Sequence, residues 1–151
     1  MAQRFLKADG RAGSVGDKGN INEVIARLVR EATIPATYNE DGSILTPEIV
    51  PDAATVAIEI TEEELKTHSW HLPHARSMRL QTIRGLRDFK LNDLDMEYQR
   101  ADEGSHPTAK TKAQVAAEKQ TLRDLPPVAE AHLATLNNTD DIDSYLPDEL
   151  A

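Results

Sequence analysis

The chain of 151 residues is predicted to have an α+β fold: a small N-terminal unit with short strands and one amphipathic helix, a long αα-hairpin, and an acidic C-terminal tail. Three patterns predict this class. Short alternating apolar stretches come first, two segments with helical spacing flank a Gly-Ser-His-Pro reversal, and acidic residues dominate the end. We divide the chain into an N-terminal α+β docking unit over 1–72, a helical hairpin over 73–127, and a short helix with a docking tail over 128–151.

The N-terminal unit begins with a predicted strand over residues 4–8. Four glycines between residues 10 and 19 predict a flexible or docking loop, because glycine exposes the backbone and tolerates positive φ. This glycine run lacks the Gly-Lys-Ser/Thr of a phosphate-binding loop. Apolar residues that recur every three or four positions then predict an amphipathic helix over 21–32, with Asn20 as its cap.

Residues 36–60 are predicted to be β structure. The Asp-Gly turn signal at 41–42 predicts a hairpin between residues 37–38 and 44–45. Alternating apolar residues predict a strand over 55–60. A capping box that begins at Thr61 predicts a short acidic helix after it.

Two long helices with a short connection are predicted next. The first covers 74–103, and its apolar stripe is formed by Leu80, Ile83, Leu91, Leu94 and Tyr98. Gly85 lies inside this helix at a cost of roughly 1 kcal/mol relative to alanine, which suggests close backbone approach or a kink. The return helix is predicted over 108–125 and ends at the two prolines 126–127. A third, short helix is predicted over 128–136.

Three histidines spaced by three residues, His68, His71 and His74, are the candidate metal ligands. Three imidazoles can bind a transition metal, which leaves a small metal-dependent enzyme as an alternative of another class. Pro73 is expected to disrupt the helical register that such ligation would use, and no acidic residue is interleaved as a fourth ligand. We therefore expect surface or capping histidines, with no metal and no cofactor.

Composition argues against several classes of function. The chain has no cysteine and no Gly-x-Ser-x-Gly motif, and its carboxylates fall on predicted exposed faces or in the tail. We therefore expect no enzymatic activity. A net charge of −9 argues against nucleic acid as a partner. No run of 18 apolar residues occurs, so we expect no membrane span.

The tail over 139–151 carries five acidic residues and no basic residue. Its apolar anchors are Ile142, Tyr145, Leu146 and Leu150. This composition buries too little apolar area to order itself, so we expect the tail to be ordered only against another chain. The candidate partner-binding residues are these four anchors together with Leu80, Ile83, Arg87 and Tyr98 of the long helix.

Two segments of the helical hairpin carry motifs: residues 84–95 are Arg-Gly-Leu-Arg-Asp-Phe-Lys-Leu-Asn-Asp-Leu-Asp, and residues 119–126 are Lys-Gln-Thr-Leu-Arg-Asp-Leu-Pro. The first segment resembles the Arg-Asx-x-Leu-Leu-x-x-Ser/Thr-Asp pattern of bacteriophage tail assembly chaperone-like proteins. The second resembles the Leu-Arg-Asp-Leu-Pro signature of the same family. The resemblance covers residues 79–127.

This resemblance implies a non-enzymatic, tail-associated structural or assembly protein: a tail, baseplate or fibre-attachment component. It implies binding to other phage tail or fibre proteins within an oligomer or large assembly, with the virion as location. It transfers no catalytic residue. A transient tail-fibre assembly chaperone that is absent from the virion is the alternative.

Overall fold

The computed structural model describes residues 3–104 and 110–151. It confirms the α+β class, with short N-terminal strands followed by a long helix pair. The chain divides into two compact units, the first ending at His74 and the second beginning at Ala75. Each unit is described by itself below.

A three-stranded antiparallel sheet organises the first unit, in the order β2-β1-β5. The elements of this unit are β1 (Gln3–Lys7), β2 (Ala12–Val15), α1 (Ile21–Ala32), β3 (Thr37–Tyr38), β4 (Ile44–Thr46), α2 (Ala53–Val56), β5 (Ala57–Glu59) and α3 (Glu62–Leu65). Its core includes a cluster of Leu6, Ile60 and Leu65, with Ile58 and Trp70 packed against it.

The predicted glycine loop is wrong in part, because β2 lies inside it. Gly13 of β2 pairs with Phe5 of β1, and the aromatic ring of Phe5 occupies the space that a Cβ at position 13 would need. Glycine therefore permits this strand pairing rather than preventing it. The predicted strand over 55–60 is also corrected: α2 ends at Val56, and only Ala57–Glu59 pairs with β1.

The bounds and the cap of the first helix were predicted correctly from local sequence signals. The helix α1 has the predicted bounds, and the Asn20 side chain caps it by accepting a hydrogen bond of 2.9 Å from the Asn22 N–H. Its apolar stripe is poorly covered, since Ile21 is buried while Val24, Ile25, Leu28 and Val29 are only half-buried. The capping box of α3, between Thr61 and Glu64, is confirmed as well.

Two long helices dominate the second unit. Helix α4 (His71–Glu103) begins earlier than predicted and reaches this unit from the first, while α5 (Lys112–Leu133) lies within it. Pro73 does not disrupt α4, because it lies in the first helical turn, where a backbone N–H has no helical acceptor. Leu94 of α4 and Leu122 of α5 are both buried and line the same pocket. Ion pairs of Lys119 with Asp95, and of Lys112 with Asp102, also join α4 to α5.

The two prolines do not end α5, which is a correction to the predicted helix bounds. The helix continues through Pro126 and Pro127 to Leu133. Prolines remove backbone hydrogen bonds and usually break a helix. Here Leu125, Pro126, Ala129 and Leu133 are all buried, so tertiary packing on both sides of the prolines compensates for the lost bonds. The predicted third helix is the last part of α5.

The acidic tail folds against its own unit, which overturns the expectation that it is ordered only against another chain. It forms α6 (Thr139–Ser144) and a 3-10 turn over Asp148–Leu150. Ile142 is 0% exposed and Leu150 is 8% exposed. Basic residues of α4 hold the tail's backbone: Arg79 Nε donates to the Tyr145 carbonyl and Lys90 Nζ to that of Glu149, each over 2.8 Å.

Candidate protein-binding surfaces

An apolar β-hairpin projects its side chains into solvent from the first unit. We call residues 34–50 the hairpin arm: it contains β3, β4 and an antiparallel bridge between Ile34 and Ile49. The two bridge residues exchange backbone hydrogen bonds of 3.0 and 2.9 Å. The arm is therefore a defined, hydrogen-bonded element.

The turn of the arm explains why this segment forms a hairpin. Gly42 adopts φ +84°, which disfavours residues that carry a Cβ. The Asp41 carboxylate accepts hydrogen bonds from the Ser43 hydroxyl and from the Ser43 N–H, over 2.5 and 2.9 Å. These two hydrogen bonds lower the pKa of Asp41 from its ordinary value of 3.8. The charged carboxylate thus favours the turn at neutral pH.

The apolar side chains of the arm are exposed. Between 56% and 63% of the surface of each of six large side chains is accessible, namely Ile34, Tyr38, Ile44, Leu45, Ile49 and Val50. Single exposed apolar residues are ordinary, but six large ones on one short element favour an interaction site. An isolated two-stranded hairpin is also marginally stable in water. Both arguments favour a binding partner that covers the arm.

The charge around the arm has one sign. Residues 31–65 contain nine acidic residues and no lysine or arginine. Within the arm, the acids are Glu40, Asp41 and Glu48, and all three are exposed. A surface of this kind is complementary to an apolar groove with basic residues at its rim.

A second exposed surface runs along α4 in the second unit. Six of its residues follow heptad spacing, with steps of four, three, four, three and four positions, and all six are exposed. We call them the helix seam: Met78, Thr82, Gly85, Phe89, Asn92 and Met96. A Cβ on Gly85 would meet no atom of the chain within 4 Å. The close approach that Gly85 suggested is therefore not made within the described part of the chain.

The eight residues predicted to bind a partner have different environments. Leu80 and Ile83 of α4, and Ile142 and Leu150 of the tail, are buried in the second unit. Leu146 is half-buried, and the half-buried Tyr145 ring lies 4.3 Å from that of His132. Arg87 donates two hydrogen bonds to Asp88. Tyr98 is 38% exposed, with the ammonium of Lys119 5.5 Å from its ring centroid. Partner binding by these eight residues stays a prediction.

The sequence patterns did not lead us to predict the hairpin arm or the helix seam as a protein-binding surface. Apolar residues in a predicted hairpin are normally assigned to a sheet, but among residues 3–104 and 110–151 no further strand pairs with this hairpin. The available signal was the long stretch without a basic residue. For the seam, the signal was the heptad spacing on the face opposite Leu80 and Ile83.

The three histidines have separate roles in the first unit. His68 Nδ1 accepts a hydrogen bond of 3.1 Å from the Trp70 N–H. His71 Nδ1 lies 2.8 Å from the Gly10 carbonyl oxygen, and His74 packs beside Gly10. Among residues 3–104 and 110–151, no group of three histidine, cysteine or acidic side chains has the geometry to hold a metal ion.

One open pocket of about 410 Å³ lies between α4 and α5. Lys90 and Lys110 line it together with the carboxylates of Asp93, Glu97, Glu118 and Glu149. Lys110 lies 2.7 Å from Glu118 and 3.8 Å from Glu97. The hydrogen bond that the Lys110 ammonium donates to the Glu118 carboxylate is the main reason that the pKa of Lys110 is raised. Lys110 therefore pairs with two of the pocket's carboxylates, Glu97 and Glu118, while Lys90 donates to the Glu149 carbonyl.

Comparison with protein-family models, with curated proteins and with solved structures finds no match to the chain. The phage-tail resemblance therefore depends on the residues of the helical hairpin alone. No helix in the described part of the chain combines the length and apolar character needed to cross a membrane.

Proposed function

We propose that this chain is a non-enzymatic protein-binding component that acts through its hairpin arm. The exposure of the six apolar side chains of the arm is the observation that carries the proposal. Covering one such side chain contributes about 1.5–3 kcal/mol when burial is complete. Three or four of them in one groove would contribute about 5–12 kcal/mol, which is similar to the roughly 4–15 kcal/mol lost on association, so charged contacts at the rim of the groove must add to the affinity.

The partner's chemistry follows from the charge of the arm. With no basic residue between positions 31 and 65, a partner that presents acidic residues would be repelled. A groove lined by apolar side chains and rimmed by lysine or arginine fits both features. Binding should weaken as salt rises, because exposed charges are screened over about 8–10 Å at 0.1–0.15 M.

The resemblance of the helical hairpin to phage tail assembly chaperone-like proteins supplies the biological setting of this proposal. On that basis the partner is a tail, baseplate or fibre-attachment protein, and the chain is a structural or assembly protein of the virion. The support is the sequence of residues 84–95 and 119–126. A transient chaperone that leaves before the particle is complete remains the alternative setting.

Co-purification from cells that carry the chain's own genome tests the binding proposal. The full chain is compared with an Ile44→Ser/Leu45→Ser variant and with a matched Val128→Ser variant, whose altered side chain is exposed on α5. We expect one stoichiometric partner with the full chain and with Val128→Ser, and its loss with the arm variant. Equal recovery with all three proteins would contradict a role for the arm.

Mass spectrometry of purified phage particles tests whether the chain is a structural protein of a phage tail. A structural role requires the chain in the particle at a fixed ratio to a tail protein. A chain that binds the same partner in cells but is absent from particles would indicate the chaperone alternative. A partner with no relation to a phage tail would reject the setting but leave the binding proposal standing.

A further inference from the structure

The helix seam has a spacing that is the same in both directions along the helix. Its six residues lie at 78, 82, 85, 89, 92 and 96, so the seam is symmetric about position 87. Steps of four and three residues are the spacing by which one helix packs against another in a coiled coil. The seam extends for about 27 Å, at 1.5 Å per residue.

Because Met78, Phe89 and Met96 are exposed at this spacing and Gly85 leaves open space beside Phe89, we infer that α4 binds α4 of a second copy of this chain, antiparallel and with a two-fold axis at position 87. In that arrangement, residues whose numbers add to 174 face each other. Met78 faces Met96 of the second copy, and Thr82 faces Asn92 of the second copy. Gly85 faces Phe89 of the second copy, so the largest side chain of the seam packs against the residue that has no side chain.

The antiparallel direction follows from these side chains. In a parallel pair each residue would face its own copy, which would place two Phe89 rings together and leave a void between two Gly85 residues. Packing without voids is favoured because each lost contact reduces dispersion energy. The Thr82 hydroxyl donates to the Met78 carbonyl over 3.2 Å and keeps its acceptor capacity. It can therefore accept a hydrogen bond from the Asn92 amide of the second copy.

The residues that flank the seam are compatible with this arrangement. On one flank, facing residues have numbers that add to 172, so Leu86 lies opposite Leu86 of the second copy, close to the axis. Leu86 is 42% exposed, so the pairing would also bury apolar surface at the centre. On the other flank Asp88 faces its own copy, but Arg87 donates hydrogen bonds of 2.9 and 2.8 Å to each Asp88 carboxylate. This local pairing reduces the repulsion.

The helix seam lies in the second unit and the hairpin arm in the first, so dimerisation through the seam does not depend on partner binding by the arm. A single helix pair of this length is smaller than a standard stable interface. We therefore expect reversible dimerisation in the micromolar range rather than a permanent dimer. Such a dimer would present two arms, and a partner with two grooves would then bind with increased avidity.

Sedimentation equilibrium of the full chain, from about 1 to 300 µM, tests the pairing. A monomer–dimer equilibrium is expected. Phe89→Ser should weaken it by about a hundredfold or more, because a buried aromatic contact is lost from each half of the interface. Val128→Ser, which changes an exposed apolar residue on another helix, should leave it unchanged. A chain that stays monomeric throughout, or equal weakening by both variants, would overturn the proposal.

Disulfide trapping tests the direction of the helices, since the chain has no native cysteine. Met78→Cys and Met96→Cys proteins are mixed under mild oxidation, and each is also oxidised alone. The antiparallel pair predicts a disulfide in the mixture and almost none in either protein alone. Equal cross-linking of Met78→Cys with itself would indicate a parallel pair and contradict the inference. Circular dichroism of each variant before oxidation shows that α4 is intact.

Discussion

Ile142→Ala tests whether the acidic tail is part of the second unit's core. Ile142 is 0% exposed in α6, and the substitution removes three carbon atoms. At about 0.8 kcal/mol per buried carbon, the transfer contribution is near 2.4 kcal/mol. The cavity left behind adds to this, so we expect a loss of about 2–5 kcal/mol in the free energy of unfolding. Ile142→Val removes one carbon and should cost about 0.5–1.5 kcal/mol.

Urea denaturation of the full chain, followed by circular dichroism at a helix-sensitive wavelength, measures this loss. The signal reports mainly on the second unit, which contains α5 and most of α4. Fluorescence follows the first unit separately, because Trp70 is the single tryptophan. Val128→Ala is the matched control, since Val128 is 63% exposed and should change stability by no more than about 0.5 kcal/mol. A loss below about 0.5 kcal/mol for Ile142→Ala would refute the packing of the tail.

Other predictions concern the tail, α4 and the hairpin arm. Deletion of 139–151 should lower the melting temperature of the isolated chain, because the deletion removes Ile142 and Leu150 from the core. An unchanged melting temperature would instead support a tail that is ordered only against another chain. Burial, and then the charges of Glu149 and Asp148, raise the pKa of Tyr145. The associated stability is fully present below the unfolded-state value of 10.0 and is lost as pH rises through the raised pKa. Tyr145→Phe should therefore flatten the alkaline fall of stability in denaturation measured at successive pH values, and an unchanged slope would contradict this. Gly85→Ala should stabilise monomeric α4 by roughly 1 kcal/mol, since a Cβ meets no atom there; destabilisation in dilute solution would reveal an unseen contact. Ile44→Ser/Leu45→Ser should leave stability within about 1 kcal/mol of the unchanged chain, whereas a larger loss would mean that the arm is packed.

The elements predicted correctly from the sequence are those set by nearby residues. The helix α1 follows from its apolar spacing and the Asn20 cap, and the hairpin follows from the turn at Asp41 and Gly42. In each case the deciding interaction spans a few positions, such as the hydrogen bond from the Ser43 N–H to Asp41. The α+β class follows from the same local patterns.

The elements predicted wrongly depend on distant contacts. The helix α5 continues through Pro126 because residues on both sides of it are buried. The tail folds because Arg79 and Lys90, about 60 positions earlier in the chain, donate to its carbonyl groups. Neither contact has a local signature. The exposure of the hairpin arm was missed for the converse reason, since the sequence does not show that no other strand covers it.

Photo-cross-linking at position 45 shows directly whether a partner protein covers the hairpin arm. Leu45 is 63% exposed in the hairpin arm, and a photoreactive amino acid placed there reports what lies against the arm in the cell. A probe at Asp124, exposed on α5, is the control. If an apolar groove with a basic rim binds the arm, position 45 should cross-link to one defined protein. The cross-linked peptide of that protein should be rich in apolar and basic residues. Diffuse cross-linking equal to that of the control, or a cross-linked peptide rich in acidic residues, would contradict this expectation.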